Sequence, residues 1–222
     1  MKKYLSRIIQ GGFFALFLAV TFKGTMVLWL VILLASMAAA LFFGRFYCGY
    51  ICPMSPVMDL TEKISKTLKI QSGKAPKILQ NPAMPWVVLL LILGTMIFTK
   101  RVLEVEFPIV LGILALSALM TLKYEQSLFH NYFCPYSGFL HLAGAQAKWS
   151  KTVLDSSCNG CNKCAQVCPS DAVKINNLTK KAEISKSNCH QCQKCTDVCP
   201  QEAIQYGKAK TNVKIYEYER IL

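Results

Sequence analysis

The sequence predicts a membrane all-α domain of four transmembrane helices in two hairpins, followed by a small α+β domain. Four apolar segments crowd the first half of the chain, and eight of its eleven cysteines form two evenly spaced runs near the C-terminus. The composition agrees, because 53% of the 222 residues are hydrophobic and only 17% are charged. One soluble domain usually has more charged residues than this. We therefore assign residues 1–150 to the membrane domain, and residues 151–222 to the small domain with a short C-terminal tail.

The apolar segments cover approximately residues 8–22, 25–43, 84–99 and 107–122. A bilayer needs about 20 apolar residues in a helix, so the second segment spans by itself and the others span if flanking residues are counted. Short connections after the first and third segments predict the two hairpins. The basic start KKYLSR also fits a cleaved signal peptide, but the immediate second span favours a retained anchor.

The basic residues predict the orientation of the membrane domain. The net charge is +13, and basic residues flank the apolar segments. This arrangement is typical of the cytoplasmic edges of a membrane protein and argues against a nucleic-acid partner as the reason for the charge. The N-terminus and the loop between the hairpins carry nine of the 25 Lys and Arg residues: Lys2, Lys3, Arg7, Arg45, Lys63, Lys66, Lys69, Lys74 and Lys77. The positive-inside rule then places both termini on the cytoplasmic side of a multi-pass inner-membrane protein. In the same loop Leu60, Ile64 and Leu68 predict a helix that lies on the membrane or packs on its own protein.

The two cysteine runs form an internal repeat with an offset of 31 residues. Each run reads C-x2-C-x2-C-x3-C-P, the pattern of bacterial two-cluster ferredoxins, in which the fourth cysteine binds the neighbouring cluster. The expected ligands are Cys158, Cys161, Cys164 and Cys199 for cluster 1, and Cys189, Cys192, Cys195 and Cys168 for cluster 2. The sequence therefore predicts two [4Fe-4S] clusters and an electron-transfer module without a substrate pocket.

Zinc is the alternative metal for paired cysteine motifs, but two complete four-cysteine runs closed by proline favour iron–sulfur clusters. A domain of about 60 residues has too little core to be stable alone, so we expect the clusters to act as its core. Metal thiolates also indicate a reducing compartment. His190 lies between two of the cysteines, and we expect it to be solvated.

A second repeat, with an offset of 82 residues, follows the two hairpins. The stretch CGYICPMS begins at Cys48, and HNYFCPYS begins at His130. Residues i and i+4 share a helix face, and the residue before proline leaves helical geometry. The two stretches together supply Cys48, Cys52, His130 and Cys134, three thiolates and an imidazole that can hold a third iron–sulfur cluster.

Other readings of these four residues stay open. The cysteines can pack as small hydrophobes or carry palmitate, His130 can be a polar interfacial residue, and His141 is a weaker rival ligand.

With these motifs the chain resembles the NapH-like membrane ferredoxin family, which has quinol dehydrogenase activity. Members combine four or more spans, Cys-x3-Cys-Pro motifs on the cytoplasmic side and a C-terminal two-cluster ferredoxin domain. The resemblance covers almost the whole chain, and the combination with CGYICP after the second span is its specific part. The chain departs from the family at His130, where the pattern has a cysteine.

The resemblance implies an electron-transfer subunit of a quinol dehydrogenase, which works with other redox subunits in a complex. Aromatic residues at the inner edge suit a quinone ring or form an interfacial belt: Phe46, Tyr47, Tyr50, Phe129, Tyr132, Phe133 and Tyr136. Two alternatives remain. The chain can carry low-potential electrons from a soluble ferredoxin or flavoprotein into a larger membrane complex, or it can reduce a metal during the assembly of another enzyme.

Overall fold

The computed structural model describes residues 2–71, 75–103 and 109–209. Four features of the sequence analysis lie outside these residues: Lys74, the end of the connection after the third apolar segment, the start of the fourth segment, and the C-terminal tail. The described residues of Met1–Ser55 and Phe139–Leu222 form one compact unit, and those of Pro56–Gly138 form a second. The domain boundary near residue 150 rests on sequence motifs and stays a prediction.

Two apolar helices, α1 (Lys2–Phe22) and α2 (Met26–Phe43), pack against each other in the first unit. The rings of Phe17 and Trp29 meet edge to face with their centroids 5.1 Å apart. Outside this contact most large apolar side chains of both helices are exposed, as expected of helices that face lipid. Both helices are long and apolar enough to cross a membrane.

The second unit contains most of α3 (Met54–Thr67), together with α4 (Met84–Phe98), α5 (Ile109–Lys123) and the short α6 (Gln126–Leu128). A 3-10 turn, Lys77–Leu79, precedes α4, and a π-helical turn, Thr99–Leu103, extends it. The stretch Met84–Val102 is long and apolar enough to cross a membrane. Helix α5 has 15 residues, about 22 Å at 1.5 Å per residue, against about 30 Å of hydrocarbon. The part of the chain that the structure describes thus contains three candidate spans, and the predicted fourth is not confirmed.

Helix α3 is amphipathic, and its polar face is bound within the second unit. The Ser65 hydroxyl donates to the carbonyl of Leu122, and the Gln126 amide donates to the carboxylates of Asp59 and Glu62. The opposite stripe of Leu60, Ile64 and Leu68 is exposed. The helix therefore packs on its own protein and also presents an apolar stripe outward.

The small domain contains two two-stranded antiparallel sheets and two short helices. Strand β1 (Trp149–Val153) pairs with β4 (Ile204–Lys208), from Trp149↔Lys208 to Val153↔Ile204. Strand β2 (Val173–Ile175) pairs with β3 (Ala182–Ile184). After α7 (Ser137–Ala145), which precedes the domain, come α8 (Lys163–Gln166) between β1 and β2, and α9 (Lys194–Asp197) between β3 and β4. Each sheet therefore takes one strand from each copy of the 31-residue repeat.

The backbone of the small domain repeats with the same offset. Asp171 and Glu202 have φ of 52° and 47°, and Gly160 and Gln191 have φ of 69° and 57°. A Cβ at Gly160 would overlap the carbonyl of Lys180, so that position needs glycine for space as well as for its positive φ. The equivalent Gln191 is tied by its side chain, which accepts from the N–H of Lys151 at 3.0 Å.

Candidate iron–sulfur sites

The cysteines of the two runs lie in and around the core of the small domain. Cys164, Cys189 and Cys195 are buried together with aliphatic side chains of all four strands. Cys158, Cys168 and Cys199 pack against this core, whereas Cys161 is exposed and Cys192 is half-buried. Sulfur therefore occupies the centre of the domain, where a larger domain has apolar side chains.

The structure places Cys168 beside the second run rather than with the run to which it belongs in sequence. Burial raises the pKa of Cys189 well above its usual value, and charge at Cys192, Cys168 and Cys195 raises it further. Burial likewise raises the pKa of Cys195 to about 12, with further contributions from Cys192 and Cys168. This neighbourhood is the one predicted for the ligands of cluster 2. The assignment of Cys199 to cluster 1 stays a prediction.

Backbone N–H groups donate to cysteine sulfur atoms of both runs. The N–H of Ala172 donates to Sγ of Cys168 at 3.2 Å, and the N–H of Ala182 donates to Sγ of Cys158 at 3.4 Å. Hydrogen bonds to sulfur stabilise the negative charge of a cluster and tune its potential. Iron must displace the thiol protons to bind. The donor set fits two [4Fe-4S] clusters in composition and environment.

Within residues 2–71, 75–103 and 109–209, no three His, Cys, Asp or Glu side chains converge on the position of one metal ion. A cubane cluster does not require such convergence, because each of its thiolates binds a different iron atom.

The motif CGYICP forms a π-helical turn directly after α2. We name Tyr47–Ile51, with Cys52 and Pro53, the first Cys-Pro turn. The N–H of Cys52 donates to the carbonyl of Tyr47 at 2.8 Å, and Cys52 itself is extended with ψ of 123°. The break predicted before Pro53 is thus present, and the turn is of the π type that is frequent at functional sites.

The second motif has the same local structure. Phe129–Phe133 form a π-helical turn, which with Cys134 and Pro135 we name the second Cys-Pro turn. The N–H of Cys134 donates to the carbonyl of Phe129 at 2.8 Å, and Cys134 is extended with ψ of 121°. Its Cys134 and His130 are buried, like Cys48 and Cys52 in the first turn. The repeat with the offset of 82 residues is therefore structural.

The two turns belong to different units. The first Cys-Pro turn packs against α1 and α2 in the first unit, and the second packs against α4 and α5 in the second. The structure therefore describes the pairs Cys48 with Cys52 and His130 with Cys134 one at a time. Their joint binding of a cluster stays a prediction.

Arg45, one of the basic residues between the two hairpins, is buried in the first unit. Its side chain is only 1% exposed. One guanidinium nitrogen donates to the carbonyl of Ser187, and another lies 3.9 Å from Sγ of Cys48. Burial raises the pKa of the Cys48 thiol, and the Arg45 charge opposes that rise. A buried cation beside this sulfur stabilises a thiolate or an anionic cluster.

The first Cys-Pro turn contacts the second cysteine run within the first unit. A Cβ on Gly49 would overlap the carbonyl oxygen of His190 and would lie 3.1 Å from the backbone nitrogen of Cys192. The amide of Gln193 donates to the hydroxyl of Tyr50 at 3.0 Å. Burial raises the pKa of Tyr50, the hydrogen bond from Gln193 opposes this, and charge at Cys192 raises it again. A side chain at Gly49 would push the two segments apart.

Two residues of this contact were misjudged or missed in the sequence. His190 was expected to be solvated but is only 2% exposed, because the first Cys-Pro turn covers its backbone. Gln191 packs against Gly44, whose Cβ would collide with the Gln191 amide. The glycines at positions 44 and 49 were the available signal, since glycine near ligands often marks close backbone approach.

His141, the rival ligand, lies in α7 in the first unit. Burial, and to a smaller extent the Arg45 charge, lowers its pKa to about 4. Its imidazole is therefore neutral near pH 7, the form that binds metals. The first unit thus brings His141 into the electrostatic neighbourhood of Arg45.

Comparisons with known proteins agree with the two cysteine-bearing regions. A family model described as a 4Fe-4S dicluster domain matches residues 157–204, and one described as a 4Fe-4S binding domain matches residues 25–71. The chain is 26% identical over 175 residues to the methylamine utilization ferredoxin-type protein MauN of Methylobacillus flagellatus, an alignment that covers 72% of this chain. The chain spans only 62% of the length of that relative. No solved structure matches significantly.

The cysteine runs, the small sheets and these matches define an iron–sulfur electron-transfer protein of the ferredoxin type. Its helical N-terminal region, with three helices long enough to span a bilayer among the described residues, indicates membrane association.

The exchanged fourth ligand predicts which cluster each cysteine substitution damages. Cys168→Ser should alter the cluster bound by Cys189, Cys192 and Cys195, and the matched variant Cys199→Ser should alter the other cluster. Low-temperature EPR of the reduced proteins identifies the affected signal by comparison with Cys192→Ser. Damage by Cys168→Ser confined to the cluster of Cys158 would show that the assignment is wrong.

Proposed function

We propose that the protein is a membrane-bound iron–sulfur subunit that moves electrons between the quinone pool and a redox partner within a complex. The contact between the first Cys-Pro turn and the second cysteine run carries this proposal. It joins the end of a candidate span to a ferredoxin domain through backbone atoms. The protein is then an electron-transfer subunit of an oxidoreductase of the quinol dehydrogenase type.

A third cluster at the membrane edge belongs to this proposal. The 4Fe-4S match over residues 25–71 contains only two cysteines, Cys48 and Cys52. Two thiolates do not complete the usual four ligands, so further ligands come from elsewhere. Cys134 and His130 have the equivalent positions in the second Cys-Pro turn, and His130 is only 3% exposed, unlike an interfacial side chain in contact with water. When bound, such a cluster accepts or releases one electron.

The remaining membrane features are proposed from the sequence and supported by partial observations. Helix α5 is the fourth span, so both termini and the ferredoxin domain lie on the cytoplasmic side of the inner membrane. The exposed stripe of Leu60, Ile64 and Leu68 supports contact of α3 with that surface. The aromatic residues of the two Cys-Pro turns form the edge of the quinone site; among them, Tyr47 accepts a hydrogen bond from Trp29 at 3.2 Å.

Iron content tests the third cluster. The double variant Cys48→Ser/Cys52→Ser should contain about four fewer irons than the wild-type chain if the cluster is a cubane, while the ferredoxin domain keeps about eight. Iron and acid-labile sulfide are measured on both proteins after purification in detergent without oxygen. Ser55→Ala, which removes the hydroxyl that donates to the Cys48 carbonyl, controls for general disturbance of the turn. Equal iron in the wild type and the double variant would eliminate the cluster.

Quinol oxidation tests the direction of the proposal. Menaquinol or ubiquinol should reduce the membrane-edge cluster of the purified chain. The variant Cys48→Ser/Cys52→Ser, which should lack this cluster, should show no such reduction. The reaction is followed by anaerobic visible absorption and EPR. Reduction by a soluble low-potential ferredoxin but by neither quinol would favour the alternative of an electron wire into a larger complex.

His130 gives a third test. An imidazole ligand leaves the cluster less negative than four thiolates do, so it raises the reduction potential, as in Rieske centres. His130→Cys should keep the cluster and lower its potential, whereas His130→Ala should lose the cluster or make it labile. Redox titration monitored by EPR compares the three proteins. An unchanged potential in both variants would exclude His130 and would direct attention to His141, water or another subunit.

A further inference from the structure

The two copies of the ferredoxin repeat share positive φ at Gly160 and Gln191 but have different surroundings, and their backbones differ at Asn162, with φ of 64°, and Gln193, with φ of −92°. In the first copy Asn159, Cys161, Asn162 and Lys163 are exposed. In the second copy the equivalent residues His190, Cys192, Gln193 and Lys194 are buried or half-buried. Equivalent loops of a symmetric domain thus differ in what covers them.

The first Cys-Pro turn with its flanks covers the second loop. Gly49 lies against the His190 carbonyl and the Cys192 nitrogen, and Tyr50 accepts from Gln193. Arg45, just before the turn, donates to the carbonyl of Ser187. The loop that carries Cys192, a predicted ligand of cluster 2, is therefore in contact with the first Cys-Pro turn and its flank.

The exposed first loop has a positive rim. Lys163 lies in the loop, and Lys180 is exposed with its carbonyl against Gly160. The sequence from residue 156 to residue 170 contains no acidic residue. An approaching redox protein with acidic groups around its own centre would fit this loop by charge.

From this asymmetry we propose a fixed order of electron transfer, which rests on the proposed function. The cluster held by Cys189, Cys192, Cys195 and Cys168 exchanges electrons with the membrane-edge centre across the contact at Gly49. The cluster held by Cys158, Cys161, Cys164 and Cys199 exchanges electrons with an external redox protein that has an acidic rim and docks on residues 159–163. Each transfer oxidises one centre and reduces the next by one electron, with no bond made or broken.

Electron tunnelling slows steeply with distance and is faster through packed, bonded atoms than through solvent. The contact at Gly49 provides a packed path of backbone atoms to Cys192, while the exposed Cys161 brings the other cluster close to the surface. The order therefore uses a packed contact at one end of the domain and an exposed cysteine at the other.

The first half of the order is tested by magnetic coupling in the fully reduced, full-length protein. The EPR signal of the membrane-edge centre should be broadened by cluster 2. Cys168→Ser should remove this broadening and the matched Cys199→Ser should retain it. The reverse pattern would overturn the order.

A second pair of variants keeps the clusters and so avoids unfolding caused by ligand loss. Gly49→Leu should weaken the coupling, because its side chain would separate the turn from residues 190–192. Gly12→Leu, at an exposed helix position where an added Cβ meets nothing within 4 Å, should leave it at the wild-type level. Wild-type coupling in Gly49→Leu would also overturn the order.

The external half is tested with a small anionic oxidant, the cobalt(III)–EDTA complex, which stands in for an acidic partner. Lys163→Glu should slow oxidation of the reduced clusters several-fold, and the repeat-equivalent Lys194→Glu should change the rate little. Equal slowing by both variants would exclude a docking role of residues 159–163.

The iron measurement distinguishes failure of the proposed function from failure of the order. Equal iron in the wild type and Cys48→Ser/Cys52→Ser overturns the proposed function and the first half of the order, whereas reversed coupling with the iron difference intact overturns the order alone.

Discussion

Sulfur at the centre of a domain of about 60 residues is the constraint on which the rest of this structure depends. The strands have three to five residues and form two separate pairs, so their apolar contacts alone are few. Burial raises the thiol pKa of Cys189 and Cys195, and iron must displace those protons when it binds. Folding and cluster binding are therefore one event. The exchange of strands between the halves means that neither half completes a sheet by itself, and the predicted exchange of Cys168 to the second run would make a cluster site depend on both halves as well.

The small size of the domain also affects its contact with the helical N-terminal region. A domain with so small a core has little surface available for contacts, and the loop of its second cysteine run contacts the first Cys-Pro turn. Gly49 makes this possible because it has no side chain between the backbones. The buried Arg45 joins the two segments by reaching both Ser187 and Cys48. Its charge costs free energy to bury, and a nearby anionic sulfur centre would offset that cost.

Sequence reasoning succeeded where the determinant is local. Thiolate spacing indicates the ferredoxin domain, and proline predicts the breaks at Cys52 and Cys134, because these features depend on a few adjacent residues. It failed for His190 and did not reveal the burial of Arg45, because both side chains are buried by contacts with residues more than 100 positions away. A charge beside an apolar segment looks the same in sequence whether it faces water or a sulfur atom. The length of the fourth span also could not be settled, since apolar composition does not determine where a helix such as α5 begins.

Both internal repeats give two equivalent copies, yet the proposed electron transfer through a membrane subunit needs direction. The copies of each repeat differ locally. In the 31-residue repeat, Gly160 lies in an exposed loop while its equivalent Gln191 is buried against Gly44. In the 82-residue repeat, Cys48 in the first turn corresponds to His130 in the second. In the proposed order, the difference in covering sets which partner reaches each cluster. In the proposed third cluster, the difference between thiolate and imidazole sets the potential of that centre. Under these proposals, a protein assembled from duplicated parts becomes directional by small local differences between the copies.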